Sequence, residues 1–242
     1  MDLGSGEYLI ISTCLKSPYN YKNIYSFLSE LGRDKIKFKE ACFLEILPHE
    51  ANYDLIWNGE VNELNMEVFS KDKLENHFLS SVGIVFYENI LARLQVSFLD
   101  ETSYEVSLVF NYTQLISEEL LKENRINNAT LVENVALIMF EKLTPVYGMI
   151  GVEKSVGSIN SILSDEESLP VDKAFYSQPF INLELGIYEE LICNSNFIKV
   201  LEGIGVYFRK EQIDDFNTFK LDNNKYKEIH LKAKEVFGTL IV

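Results

Sequence analysis

Residues able to do chemistry are few in this chain and far apart. The three histidines, His49, His77 and His230, stand singly, with none within four residues of another and none in an HExxH or CxxH frame. Metal ligands recur at such short spacings, so the pattern predicts no metal site and no metal-held cofactor. Cys14, Cys42 and Cys193 form no CxxC pair, and they read as small buried hydrophobes in a reducing compartment. A serine nucleophile in a GxSxG elbow is absent. Gly203-Ile204-Gly205 begins a dinucleotide fingerprint, but Phe208 stands where the third glycine belongs. Glycines there instead predict a bulge or a close backbone approach. Glu118-Glu119, Glu189-Glu190 and Asp214-Asp215 are adjacent carboxylates, which diverge on a helix and face opposite ways on a strand, so none is a catalytic dyad by position. Glu118-Glu119 and Asp165-Glu166 fall where helix first turns are expected, and the remaining carboxylates read as solvated. No catalytic residue and no cofactor is expected, although a site assembled from distant residues stays open, as triads are spatial.

What the chain does carry is negative charge in long uninterrupted tracts. Its 37 Asp+Glu against 22 Lys+Arg give a net charge of −15. Between residues 40 and 70 lie seven carboxylates and no Lys or Arg; between 94 and 121 lie five more. Such a balance argues against nucleic acid and against an anionic membrane surface, since phosphate contacts need clustered cations. It favours a basic protein partner steered in by the field. Aromatics are interleaved in the first tract, and rings ringed by carboxylates would anchor such a partner. Glu45, Glu50, Asp54, Trp57, Glu60, Glu63 and Glu67 are therefore the candidate partner-binding residues. Solvation of one face is the plainer reading of the same tracts.

The elements that must position these groups follow from pattern. With 47% apolar residues, 16 Phe and 13 Tyr, the chain has ample material for a core and does not read as disordered. Tyr8 to Thr13 and Ala41 to Leu47 predict strands. Tyr21 to Leu31 predicts a helix stopped by Gly32. Arg33, Lys35, Lys37 and Lys39 alternate with Ile36 and Phe38 as the polar face of a strand does. Asn58-Gly59 predicts a hairpin between Asp54 to Trp57 and Val61 to Phe69, and Lys71 to Leu79 a short helix or loop. Val82 to Tyr87, Ile90 to Phe98 and Tyr104 to Phe110 are β-rich runs, the last two with strictly alternating side chains, and they predict an antiparallel meander with one buried and one wet face.

Further on, Thr130-Leu131-Val132-Glu133 predicts a capping box opening a mostly apolar helix that ends before Pro145. A strand from Val146 to Val152 follows. Residues 164 to 179 predict a long exposed loop. Phe180 to Leu185 and Gly203 to Phe208 predict strands, with a helical piece near Tyr188 to Cys193 between them. Asp222 is expected to cap a last helix with Tyr226, Ile229, Ala233, Val236 and Phe237 on one face. The fold class is α+β: an antiparallel meander sheet packed with helices, with a mixed second half. One domain over 1–242 is expected, with residue 128 as the place where a division would fall. The N-terminus lacks a basic region before its short apolar stretch, and no apolar run approaches membrane-spanning length, so the cytoplasm is the expected location.

The stretch from the end of the meander, Val106 to Tyr112, through the apolar helix to Leu143-Thr144-Pro145-Val146-Tyr147-Gly148-Met149-Ile150-Gly151-Val152-Glu153 resembles the small cytoplasmic immunity proteins of bacterial polymorphic toxin systems. The resemblance covers roughly residues 82 to 153 and implies an acidic, non-enzymatic protein that blocks a toxin domain, often a nuclease. No site residue is carried over from it. The reading is an immunity-type inhibitor that neutralises a basic toxin or nuclease domain. Its alternatives are a phage or mobile-element inhibitor that imitates DNA, an enzyme with a scattered site, and a self-assembling protein.

Overall fold

The computed structural model describes residues 3–32, 36–44, 55–61, 77–87, 89–164, 166, 169–170, 172–181, 195–216 and 223–241. Within them ten strands form one antiparallel sheet in the order β3-β2-β4-β5-β6-β1-β7-β8-β10-β9. The strands are β1 (Tyr8–Lys16), β2 (Ile36–Leu44), β3 (Leu55–Glu60), β4 (Phe78–Phe86), β5 (Ile90–Phe98), β6 (Ser103–Asn111), β7 (Tyr147–Val152), β8 (Ala174–Ser177), β9 (Phe197–Leu201) and β10 (Gly205–Arg209). The helices are α1 (Tyr21–Leu31), α2 (Tyr112–Ile116), α3 (Lys122–Leu143), α4 (Ile159–Leu163), α5 (Gln178–Ile181) and α6 (Asn223–Ile241). The fold is α+β, as the sequence predicts. None of the described helices is long and apolar enough to cross a membrane.

Successive residues of β1 feed two cores. Leu9, Ile11 and Leu15 face α1 and α3, where Ile24, Phe27, Met139 and Phe140 are buried with them. Cys14 faces the other way, with Tyr147, Ile159, Ile162, Phe208 and Ile229. The meander stands where alternation puts it: Ala92, Leu94 and Val96 are buried while Gln95 and Ser97 are exposed. Its β5–β6 turn is held by Asp100 Oδ1, which accepts from the backbone N–H and hydroxyl of both Thr102 and Ser103. α1 has its expected bounds, with the Asn20 side chain accepting from Lys22 N at 3.1 Å and Gly32 N closing on Leu28 O. β2 absorbs the basic alternation, with Lys37 and Lys39 exposed and Phe38 buried.

Several expectations are corrected. Asn58-Gly59 is no turn: both residues lie inside β3, opposite Cys42 and Ala41 of β2. Gly59 serves a close approach instead, since a Cβ there would stand 2.9 Å from the Trp57 ring. Long-range pairing has overridden the local turn preference. Thr130 opens nothing. α3 starts eight residues earlier, and the Thr130 hydroxyl donates to Ile126 O one turn back at 2.7 Å. The helix stops where expected, at Thr144 in the left-handed region before Pro145. The 164–179 stretch is not one exposed loop, because its end forms β8, buried between β7 and β10, and Leu169 is buried as well. Phe180 belongs to the helical turn α5, and Phe78 already belongs to β4. Glu118-Glu119 lie just ahead of α3, and Glu166 lies beyond the end of α4.

The helical piece near Tyr188 to Cys193, Asp222, and the side chains of Tyr226, Val236 and Phe237 lie outside the described residues. Close backbone approach at the second glycine of 203–205 is found: a Cβ on Gly205 would meet Tyr176 O at 2.2 Å.

Candidate functional site

Of the residues singled out for partner binding, Glu45, Glu50, Asp54, Glu63 and Glu67 lie outside the described residues. Trp57 and Glu60 are both on β3, three residues apart, and so point to opposite faces. Trp57 aligns with Phe43, their rings 6.2 Å apart, and packs against the core. Glu60 is exposed and aligns with Glu40, whose carboxylate lies 3.4 Å from the Arg93 guanidinium reaching past Gly83 of β4. Arg93, Lys37 and Lys39 thus interleave in space with the described part of the first acidic tract.

A second group of carboxylates lies around Tyr112, drawn from residues far apart in the chain. The N-terminal segment turns at Gly4 and Gly6, both at positive φ, and is tied down by the Asn111 amide donating to Leu3 O and Ser5 O. The same side chain caps α2 by accepting from Gln114 N at 3.0 Å, and Tyr112 N donates to Glu7 O at 2.8 Å. Glu7 is thereby held beside the phenol, with Glu118 reaching it from the turn before α3 and Asp215 from the 210–216 segment. Phe216 meets the Tyr112 ring edge to face, centroids 6.1 Å apart. Burial pushes the phenol's pKa up; the Glu7, Asp215 and Glu118 carboxylates add to the rise, and Arg125 opposes it. Arg125 in turn stands 3.7 Å from Asp214. Carboxylates outnumber cations here, so the rim is set to receive positive charge.

Buried ions hold this rim. Lys173 is 3% exposed, and its Nζ donates to Gln212 O at 3.0 Å and to Asp215 O, 4.8 Å above the Phe216 ring. Asp172 stands 3.8 Å from that ammonium and accepts from Lys210 N and Glu211 N. Burial lowers the Lys173 pKa below the usual lysine range, with Asp172 opposing. Next to it, Glu133 accepts from Tyr207 Oη at 2.9 Å and Arg209 Nε at 2.8 Å. Glu133, expected to be a capping-box residue, is instead the buried anion that joins α3 to β10. Desolvation first, and Glu133 second, raise the Tyr207 phenol well above its ordinary value.

Two other places bear on catalysis. On the second face of the sheet the Ser12 hydroxyl donates to Glu105 at 2.5 Å and accepts from Val156 N at 2.9 Å. Burial raises the Glu105 carboxyl above its ordinary range, although Ser12 opposes. Alternation had placed Glu105 on a wet face; the 153–163 segment covers that face, and nothing local to Glu105 announces it. The Glu105–Ser12–Val156 chain fastens that segment to the sheet. Burial likewise pushes the neighbouring Cys14 thiol up to about 12, which keeps it protonated and inert at neutral pH. The second place is a groove of 520 Å³ between α3, the end of α1 and the β4–β5 turn. Its polar lining consists of Tyr87, Thr130, Asn127, Asn128 and Asn134, with no carboxylate, ammonium, guanidinium or imidazole among them. Among the described residues no three His, Cys, Asp or Glu converge as metal ligands would.

No family model matches the chain, and no curated protein matches it. Among solved structures a Pseudomonas aeruginosa T6SS protein superposes with a TM-score of 0.44 at 11% identity, over 84% of this chain and 65% of that one. The chain thus spans 65% of that protein's length.

Proposed function

We propose that this chain is a non-enzymatic cytoplasmic binding protein, an immunity-type inhibitor that neutralises a basic toxin by capping it with an acidic, aromatic-bearing surface. A nuclease domain is the fitting partner, because its own nucleic-acid face must be cationic. The observation that carries the reading is the Tyr112–Phe216 pair with Glu7, Glu118 and Asp215 about it on a molecule of net charge −15. Rings of this kind supply burial energy, and surrounding carboxylates supply on-rate and orientation. The acidic tract of the sequence that holds Glu60, together with Glu45, Glu50, Asp54, Glu63 and Glu67, is the second candidate for that contact.

The test is capture from a lysate of the native host, with mass spectrometry of what is retained. The wild-type chain should hold a basic protein at low salt and release it as salt rises. The variant carrying Glu7→Lys and Glu118→Lys should lose that protein by slower association, with Glu60→Lys as the parallel change on the other surface. Retention of the same protein by both variants, at any salt, would sink the acidic-surface reading.

A further inference from the structure

Residues 210–216, which run on from β10 to the acidic rim, are held by side chains. The Asp172 carboxylate accepts from Lys210 N and Glu211 N. The Asn196 amide donates to Lys210 O, and Arg209 Nη1 donates to Glu211 O at 2.9 Å. Lys173 Nζ takes two carbonyls further on, Gln212 O and Asp215 O, and stacks on the Phe216 ring. Between those carbonyls the backbone closes on itself, Asp215 N donating to Gln212 O at 3.1 Å. A single buried ammonium thus grips both ends of the stretch from Gln212 to Phe216. Lys173 itself holds φ 44°, a costly conformation for a lysine that persists only where the surroundings impose it. The far end of the same segment supplies part of the rim. Asp215 is one of the carboxylates about the Tyr112 phenol, and Phe216 is the ring that meets it.

We propose that residues 210–216 form a strap that opens and closes as one unit, with the Lys173 ammonium as its clasp, and that its state decides whether the Tyr112 rim is complete. In a strand ladder the loss of one bond leaves its neighbours in place. Here two carbonyls and a ring converge on one side chain, so they are gained or lost together. The balance is also a fine one. Hydrogen bonds from an ammonium are strong, but closing the strap takes that ammonium out of water, and the second effect offsets much of the first. Segments with such opposed contributions open locally while the sheet stays folded. Opening would carry Asp215 and Phe216 away from Tyr112 and leave Glu7 and Glu118 behind. This regulation rests on the inhibitor reading: a basic partner that needs the complete rim binds the closed form, and its apparent affinity falls with the closed fraction.

The experiment is amide hydrogen exchange of the chain alone, followed by NMR at Lys210, Glu211 and Asp215, whose N–H groups are bonded while the strap is closed. In the wild type these three amides should share one protection factor, below that of β1 at the middle of the sheet. Phe216→Ala removes only the ring and should lower all three by the same factor, about fivefold. Lys173→Met keeps the aliphatic stem without its donors and should lower them by about tenfold or more, with β1 still protected. Should that variant fail to fold, β1 would lose protection too, and the wild type and Phe216→Ala decide the matter. Three amides with unrelated protection overturn the proposal. So does protection equal to that of β1, or a Phe216→Ala effect confined to Asp215. No partner enters the measurement, so the strap and the inhibitor reading fail separately.

Discussion

At Glu105 the protein holds a carboxyl where water has little access, and the consequence is a pH signature. Its folded pKa is raised by burial above the ordinary 4.5, so the folded state binds the proton more tightly than the unfolded chain. The stability that this group contributes is therefore full below the ordinary value and lost as pH rises through the folded one. Glu105→Gln keeps the acceptor for Ser12 and removes the charge. It should melt higher than wild type near neutrality, with the gap closing as pH falls from the raised folded value to 4.5, as followed by thermal unfolding. Glu133 matters as one half of an ion pair. Its carboxylate is the partner of both Arg209 and Tyr207, and Glu133→Ala would strand a buried guanidinium at a cost of about 3–5 kcal/mol in urea unfolding. A Glu133 variant within 1 kcal/mol of wild type, by the scale of exposed pairs, would show that the pair is solvated.

Elements were legible where the signal is local. α1 shows its apolar stripe and its terminal glycine, and β5 and β6 show their alternation. What sequence could not show were choices settled by distant partners. β3 runs through Asn58-Gly59 because β2 pairs with it there, and β8 is a strand because β7 and β10 flank it. The first eight residues of α3 carry no apolar period, so the helix seemed to begin at Thr130. The site divides likewise. A surplus of carboxylates could be read directly, but the Tyr112 rim joins Glu7, Glu118 and Asp215, which only folding brings together. Two backbone positions make element-scale tests. Gly205→Ala sets a Cβ against the Tyr176 carbonyl and should destabilise the β8–β10 pairing by about 3 kcal/mol, the upper end of core overpacking. Thr144→Gly relieves a left-handed threonine at φ 50° and should stabilise by about 1 kcal/mol in chemical denaturation.

For the whole molecule, attraction of a basic partner should weaken as ionic strength rises. The sheet also sets a timetable. β1 is bonded on one flank to residues 103–111 and on the other to 147–152, so the first of the described strands stands in the middle of the sheet. During synthesis it has to wait for some hundred residues before its first neighbour emerges and for about forty more before its second, at roughly 5–20 residues per second. A nascent chain halted short of residue 147 would carry Leu9 and Ile11 along a bare flank, the geometry that invites pairing with a stranger.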